Sequence, residues 1–397
     1  GPCVVACRLY AVCPCAPVCY VAPSINCLLG SQNVILQANN DINVCGAILP
    51  GVGNFNLDLH AGRSLNINNN ITLLCGNLTL IANDTLANGV VDLQRCAGAA
   101  VIAMACGTSI NVGAGTVTAT LSNDLGKTNN CSGDITFASV TAANLNVTNA
   151  GVTAGSDILQ LCSPNVITIT GTTTLNATGA ITLNNPCNDF GIVTVTGAGG
   201  NVAIQDINCA DLNNFTCVTG DIAVTAASID LIGTTYTSCC GSVSLCGNVD
   251  LDLAGGTVTV TSGGGAADDI IIGGTINDDA CGDTNLILNA GACGGVDMCG
   301  NNIGCAVTLN NFTISNSAFA CLSNISTNND IAITSTSTTL CGACYNSCAG
   351  SVTFTGPVNL LGGGGITISS GGGVGDDITF TSTLDDSASS RPITVCA

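Results

Sequence analysis

The chain has 397 residues, a net charge of −20 at pH 7 and only five lysine or arginine residues. So few basic groups exclude a phosphate-binding surface, and we therefore expect neither nucleic acid nor an anionic membrane as a partner. Charged residues make up 8% of the chain and apolar residues 46%, which predicts a folded protein with an unusually uncharged surface.

The N-terminal segment, residues 1–30, differs from the rest in being rich in cysteine, proline and valine. We predict that it forms a cap, or an arm that packs on a neighbouring subunit. Its first residue is glycine, so we expect any signal peptide to have been removed already. Its cysteines are Cys3, Cys7, Cys13, Cys15, Cys19 and Cys27.

From residue 31 onward, short runs of alternating apolar and polar residues are separated by glycine, asparagine and aspartate. Asn33–Ala38, Val166–Thr170 and Gly256–Thr261 are examples. Alternation with a period of two predicts β-strands with one buried face. No segment has a convincing helical period, and no apolar run reaches the roughly 18 residues of a membrane span. The sequence therefore predicts an all-β protein without a membrane span.

A long internal repeat divides this region. Residues 221–289 reappear at 330–397, about 109 residues later, so that Asp221–Thr225 matches Asp330–Thr334. We therefore predict a first part of a shaft over 31–220 and a second, repeated part over 221–397.

Two architectures suit this pattern. The first is a right-handed parallel β-helix (a β-solenoid), in which coils of roughly 20 residues stack on one another. The second is a row of tandem β-sandwich domains of about 100 residues each. The strands are short and numerous, tryptophan is absent, and asparagine recurs at turns, where stacked side chains form hydrogen-bond ladders. These features favour the β-helix.

Several segments resemble known secreted proteins. Gln32–Asn43, His60–Asn68 and Gly76–Asn83 resemble the opening coils of filamentous-haemagglutinin-type proteins, and Asn285–Gly291 and Asp377–Asp385 resemble bacterial β-strand-repeat surface proteins. The resemblance implies right-handed β-helix shafts that are exported and act in adhesion, fibres or surface coats. The cysteine content departs from this pattern, since such shafts usually contain few cysteines.

The 27 cysteines indicate an oxidising environment, and their odd number leaves at least one as a free thiol or in a bond to another chain. We expect disulfides, some between subunits. The alternative is a metal site, but the Cys341-x-x-Cys344 unit has no evident second half. The other candidates for disulfide or inter-subunit bonds, besides the N-terminal six, are Cys239, Cys240, Cys341, Cys344, Cys348 and Cys396.

Aspartate pairs at turns are the remaining candidates for a site. Closely spaced carboxylates are able to bind Ca²⁺, although these match no established calcium motif. The simpler interpretation is that they cap turns and protect strand edges. The pairs are Asp268 with Asp269, Asp278 with Asp279, Asp376 with Asp377, and Asp385 with Asp386. No other cofactor is expected.

Some β-helix proteins cleave polysaccharides, but that chemistry needs a paired acid and base or a basic group on the uronate. Here the five basic residues are scattered along the chain, and His60, the single histidine, has no evident partner in the sequence. We therefore predict a non-enzymatic structural subunit of an extracellular fibre or surface coat, which associates end to end with copies of itself. A cell-surface adhesin shaft, which binds a surface glycan or a neighbouring cell, is the alternative, and a carbohydrate-active enzyme is a more distant one.

Overall fold

The computed structural model describes residues 5–8, 18–19, 22–49, 52–86, 90–152, 155–161, 163–279, 282–361, 364–386 and 391–397, with no side-chain description for 5–8 and 18–19. The protein is nearly all β, with parallel strands stacked in a β-solenoid of about 15 turns. The predicted parallel β-helix is confirmed, and the β-sandwich alternative is wrong, because sandwiches are built from antiparallel sheets. The right-handedness of the coil stays a prediction.

The chain divides into two compact units, Gly1–Ile207 and Asn208–Ala397. The predicted boundaries after residues 30 and 220 stay predictions. The first unit contains helix α1, Ala22–Leu29, and a 3-10 helix, Asp92–Gln94. Its strands are β1 Val5–Arg8, β2 Val18–Cys19, β3 Val34–Ala38, β4 Ile42–Val44, β5 Leu57–Ala61, β6 Leu65–Ile67, β7 Ile71–Thr72, β8 Leu78–Ala82, β9 Ala100–Met104, β10 Ser109–Asn111, β11 Thr116–Leu121, β12 Ser132–Phe137, β13 Ser139–Ala142, β14 Asn144–Asn149, β15 Ile158–Gln160, β16 Ile167–Ala177, β17 Ile181–Leu183, β18 Asp189–Ala198 and β19 Val202–Gln205.

The first unit has three faces of parallel strands. One face runs β1–β3–β5–β8–β11–β14–β16–β18, and the second runs β2–β4–β6–β9–β12–β15–β17–β19. The third runs β7–β10–β13–β16–β18. Strands β16 and β18 belong to two faces, because each bends at a corner where the register shifts. Helix α1 packs on this core, with Ile25 and Leu29 buried.

The described residues of the second unit form 21 strands. They are β20 Cys209–Val218, β21 Ile222–Leu231, β22 Thr235–Ser238, β23 Val243–Leu251, β24 Thr257–Thr261, β25 Ile270–Ile272, β26 Ile276–Asp278, β27 Asn285–Asn289, β28 Gly295–Met298, β29 Asn311–Asn316, β30 Phe319–Leu322, β31 Ile325–Thr327, β32 Ile331–Thr334, β33 Thr338–Leu340, β34 Cys344–Ser347, β35 Val352–Thr355, β36 Val358–Leu360, β37 Ile366–Ser369, β38 Ile378–Phe380, β39 Leu384–Asp386 and β40 Ile393–Cys396.

These strands also form three parallel faces, which we name A, B and C. Face A joins β20, β21, β23 and β26, and continues through Ile303 to β31, β34, β37 and β40. Face B runs β20–β22–β24–β27–β29–β32–β35–β38. Face C runs β21–β23–β25–β28–β30–β33–β36–β39. Each turn of the chain therefore visits the three faces in order.

The alternation seen in the sequence explains the core. In β3, β5 and β8 every second residue is buried, and these inward side chains are Val, Leu or Ala. Outward asparagines tie successive coils together. The Oδ1 atom of Asn33 accepts a hydrogen bond from Asn56 N at 2.9 Å, and the Oδ1 atom of Asn56 accepts one from Asn77 N at 2.9 Å. The expected asparagine ladder is thus present, with side-chain oxygens bonded to the backbone of the next coil.

The internal repeat is displaced by one face within the second unit. Tyr236 lies on face B and its repeat counterpart, Tyr345, lies on face A. Both tyrosines are buried, and each hydroxyl accepts a hydrogen bond from the glycine amide three residues earlier and donates one to a carbonyl of the preceding coil. The local structure therefore repeats faithfully although the face does not, because the repeat is not a whole number of coils.

Candidate functional site

Among the described side chains of the first unit, His60, Arg63, Arg95 and Lys127 all contact other protein groups. His60 Nδ1 lies 2.8 Å from Asp84 Oδ2, one coil further along the chain. Arg63 forms a two-pronged contact with Asp41, at 2.7 Å from Nε and 2.5 Å from Nη2, which raises the pKa of the guanidinium. His60 thus has a partner that the sequence did not reveal.

A second basic group in this unit fastens two loops. The Arg95 side chain is fully buried and contacts Asp92, the Asn83 side chain and the Gly62 carbonyl. Lys127 Nζ donates a hydrogen bond to Asn83 O at 2.7 Å, and burial, together with the charge of Arg95, lowers the pKa of this lysine. These contacts hold the loops that carry Arg95 and Lys127 against the coils. Arg95 and Lys127, which are distant in sequence, thus both contact Asn83.

Cysteines face outward along the solenoid. Among the described residues, the cysteines that form no disulfide are exposed, except for Cys131 and Cys209, which are half-buried. Cysteine is usually one of the most buried residue types, so an exposed set is unusual. The exposed ones are Cys27, Cys45, Cys75, Cys106, Cys187, Cys217, Cys239, Cys240, Cys246, Cys293, Cys305, Cys344, Cys348 and Cys396. This set includes six of the predicted disulfide candidates.

Three cysteines on successive coils of the second unit meet, and we call them the cysteine triad: Cys299, Cys321 and Cys341. Cys299 follows β28, Cys321 lies in β30 and Cys341 follows β33, and these three strands are neighbours on face C. Cys299 is placed to form a disulfide with either of the other two, at Cα–Cα distances of 5.3 and 6.1 Å. Cys321 Sγ and Cys341 Sγ also lie 3.3 Å apart. Since a sulfur atom takes part in one disulfide at a time, these pairings are alternatives, and each leaves one of the three thiols free.

A column of carboxylates lies on face A. Asp211, Asp230 and Asp250 are in register on three adjacent coils, which stack about 4.8 Å apart. Burial and the neighbouring carboxylates raise the pKa values of Asp230 and Asp250. Cys209 lies beside this acidic column, and burial raises the pKa of its thiol to about 12, so the thiol stays protonated at neutral pH.

The Asp268 and Asp376 pairs occupy equivalent turns of the repeat. Asp268 Oδ2 accepts a hydrogen bond from Gly265 N, and Asp376 Oδ2 accepts one from Gly373 N, both at 2.8 Å. The next residue of each pair, Asp269 or Asp377, donates its backbone N–H to a serine hydroxyl of the previous coil. The first carboxylate of each pair thus takes part in closing a glycine-rich turn.

The other two predicted pairs lie at loop corners. Asp278 is buried and Asp279 exposed at the end of β26, while Asp385 is exposed and Asp386 half-buried at the end of β39.

Among the predicted cysteines, Cys341 belongs to the triad. The side chains of Cys7 and Cys19 and the whole of Cys3, Cys13 and Cys15 lie outside the described residues.

Cys299, Cys321 and the acidic column were not among the residues predicted from the sequence. A signal for both was present, because each set is spaced by about one coil: Cys299 and Cys321 are 22 residues apart, and Cys321 and Cys341 are 20 apart. Residues of one chemical type at that spacing form a column on the outside of a solenoid.

A family model described as repeats of unknown function (DUF5649) matches residues 122–196. The matched segment contains strands β12 to β17 and most of β18, where the coils follow one another closely. No curated protein and no solved structure matches the chain. The repeat model and the solenoid fit a β-helix repeat protein, while the resemblance to filamentous-haemagglutinin-type proteins stays a prediction. No helix among the described residues is both long and apolar enough to cross a membrane.

Proposed function

We propose that this chain is a structural subunit of an extracellular fibre or surface coat, which associates with copies of itself and is hardened by disulfides between them. The observation that carries the proposal is the outward cysteine set. An exposed thiol is accessible to the thiol of a second copy, whereas a buried one is not. Outside the cell such pairs oxidise and persist.

The charge of the protein makes covalent bonds between copies useful. Each chain carries a net charge of −20, so two copies repel one another at low ionic strength. At physiological ionic strength the Debye length is about 8 Å, which screens much of this repulsion but adds no attraction. Disulfides would hold copies together regardless of salt.

The last described coil of the second unit offers a surface for the end-to-end contact. Its strands β38, β39 and β40 expose apolar side chains, with Leu384 37% and Val395 51% exposed. A strand edge of this kind is a template for further pairing. A further coil would cover it, whether that coil belongs to the same polypeptide or to a second copy, and the second case is the end-to-end contact of the proposal.

Catalysis is not part of the proposal. Among the side chains described, Arg63, Arg95 and Arg391 each contact an aspartate, and Lys127 is bonded to a backbone carbonyl. None of these groups is left over to neutralise an acidic sugar, as a polysaccharide lyase requires.

The test is electrophoresis of the purified, air-oxidised chain with and without reductant, together with electron microscopy. The proposal expects covalent multimers that reductant dissociates, and ordered polymers in the micrographs. Replacing the outward residues Cys239, Cys240, Cys344 and Cys348 with serine should reduce the multimers, whereas the matched change at half-buried Cys209 should not. A monomer band in both lanes, without polymers in the micrographs, would reject the proposal.

A further inference from the structure

Two corners of the second unit share the same contact between a carboxylate and the backbone. Asp278 ends β26 and Asp386 ends β39. Asp278 Oδ2 accepts a hydrogen bond from the backbone N–H of the fifth residue after it, Asp283, at 3.0 Å. Asp386 Oδ2 accepts the corresponding bond from Arg391 N at 2.7 Å. One oxygen of each carboxylate thus anchors the loop that follows.

The two loops differ at the second carboxylate oxygen. Arg391 Nη1 lies 3.5 Å from Asp386 Oδ1, so the loop contains its own cation. The residue in the place of that arginine in the earlier loop is Asp283. Asp278 is only 1% exposed, and its Oδ1 atom is buried without a hydrogen-bond partner. A carboxylate oxygen that is neutralised in one loop is therefore left unpaired in the other.

Further negative charge lies close to the Asp278 carboxylate. Asp278, Asp279 and Asp283 each place a carboxylate oxygen within 4.8 Å of those of the other two. Asp252 on the preceding coil adds a fourth carboxylate, which interacts with Asp279. Burial is the larger cause and this interaction the smaller cause of the raised pKa of Asp252. Burial also raises the pKa of Asp278. Like charges held this closely are costly unless a proton or a cation neutralises them.

We propose that Asp278, Asp279 and Asp283 bind one divalent cation of the Ca²⁺ class, which takes the place that the Arg391 guanidinium has in the later loop. The donors are hard carboxylate oxygens, the type of ligand that Ca²⁺ prefers. Asp279 is exposed and Asp283 half-buried, so an ion reaches the site from solvent and keeps water among its ligands. Asp278 Oδ2 already caps the turn, because it accepts hydrogen bonds from the backbone N–H groups of Asp283 and Thr284. The Oδ1 atom is therefore left to bind the ion.

The experiment titrates the full chain, freed of metal with a chelator, with Ca²⁺ by calorimetry and with Tb³⁺ by luminescence. The proposal expects saturable binding and a melting temperature that Ca²⁺ raises. Asp283→Asn should weaken Ca²⁺ binding at least tenfold. Asp283→Arg, which copies the later loop, should abolish the Ca²⁺ response while melting at or above the temperature of the metal-free wild type. Asp385→Asn, an exposed acidic residue at the corresponding corner, is the matched control and should leave binding unchanged.

Three results would overturn the proposal. The first is a wild-type melting temperature that is the same in Ca²⁺ and in chelator, and the second is an Asp283→Asn variant that binds as tightly as the wild type. The third is a Ca²⁺ response that survives in Asp283→Arg, because binding would then lie elsewhere, for instance at the acidic column. If Asp283→Asn fails to fold, Asp283→Arg decides alone. The site lies within one chain, so the result does not depend on whether the protein forms fibres.

Discussion

The cysteine triad gives a prediction whose magnitude follows from loop lengths. A disulfide restricts the unfolded chain, and the chain-entropy relation links the stabilisation to the number of residues in the closed loop. The Cys299–Cys321 pairing closes a 22-residue loop and the Cys299–Cys341 pairing a 42-residue loop. The relation gives about 3.4 kcal/mol for the first and about 3.9 kcal/mol for the second. The two pairings are therefore nearly equal in their effect.

Any two of the three cysteines are close enough to pair, since Cys321 Sγ and Cys341 Sγ are 3.3 Å apart, so Cys299→Ser alone leaves a pair. The double change of Cys299→Ser with Cys341→Ser removes every pairing and should cost about 3–4 kcal/mol of unfolding free energy in oxidising conditions. Cys321→Ser and Cys341→Ser each leave a pairing as well, so each should cost about 1 kcal/mol or less. The measurement is guanidinium unfolding followed by circular dichroism, with alkylation and peptide mapping to identify the free thiol.

Reductant is the internal control for this series. With all thiols reduced, the wild type and these variants should unfold within about 1 kcal/mol of one another, because only the small Cys-to-Ser differences remain. If Cys321→Ser costs as much as the double variant in oxidising conditions, Cys299 and Cys341 do not pair in its place, and the idea of alternative pairings within the triad is refuted.

Three further predictions concern single side chains. Tyr345→Phe removes a buried hydroxyl that bridges two backbone groups and should cost about 1–3 kcal/mol in chemical denaturation; no loss would show that the bridge is not needed. Arg95→Met leaves the buried acceptors of Arg95 unpaired and should lower the free energy of unfolding by about 3–5 kcal/mol. Amide hydrogen exchange should become faster in the loops that carry Arg95 and Lys127, and unchanged exchange there would contradict the role given to Arg95. Asp250→Asn should raise the melting temperature at pH 7, because the raised pKa of Asp250 means that its charged form is disfavoured in the folded state. The stability contributed by the protonated Asp250 carboxyl is fully present below the unfolded-state pKa of about 3.9 and is lost as pH rises through the folded-state pKa. The higher melting temperature of the variant should therefore vanish near pH 4. A difference in melting temperature that does not depend on pH would contradict this prediction.

The strands were predictable from the sequence because their alternation is local. The run Asn33–Ala38 becomes β3, Val34–Ala38, and Gly256–Thr261 becomes β24, Thr257–Thr261. The run at Val166–Thr170 is less well predicted, because β16 continues around a corner to Ala177. A period-2 pattern identifies a strand, but it does not show where that strand bends.

The outward columns were not predictable, because they depend on which coil stacks on which. Coil length varies: the ladder bond from Asn77 N to Asn56 spans 21 residues, while the next bond, from Thr116 N to Asn77, spans 39. The longer coil contains the loop that Arg95 fastens. A fixed period therefore fails to align residues after such an insertion, and His60 and Asp84 are matched only once the coils are built.

Stacking in register has opposite consequences for asparagine and aspartate. An asparagine side chain both donates and accepts hydrogen bonds, so a column of asparagines is satisfied at each step, as at Asn43 and Asn66, whose side chains are 2.7 Å apart. An ionised aspartate only accepts, so Asp211, Asp230 and Asp250 gain no bond from one another and repel. In a chain with five basic residues, protein cations are too few to neutralise 25 carboxylates. Arg391 neutralises the Asp386 carboxylate at the later corner. At the earlier corner Asp283 replaces the arginine, so the positive charge that neutralises Asp278 has to come from an ion in solution.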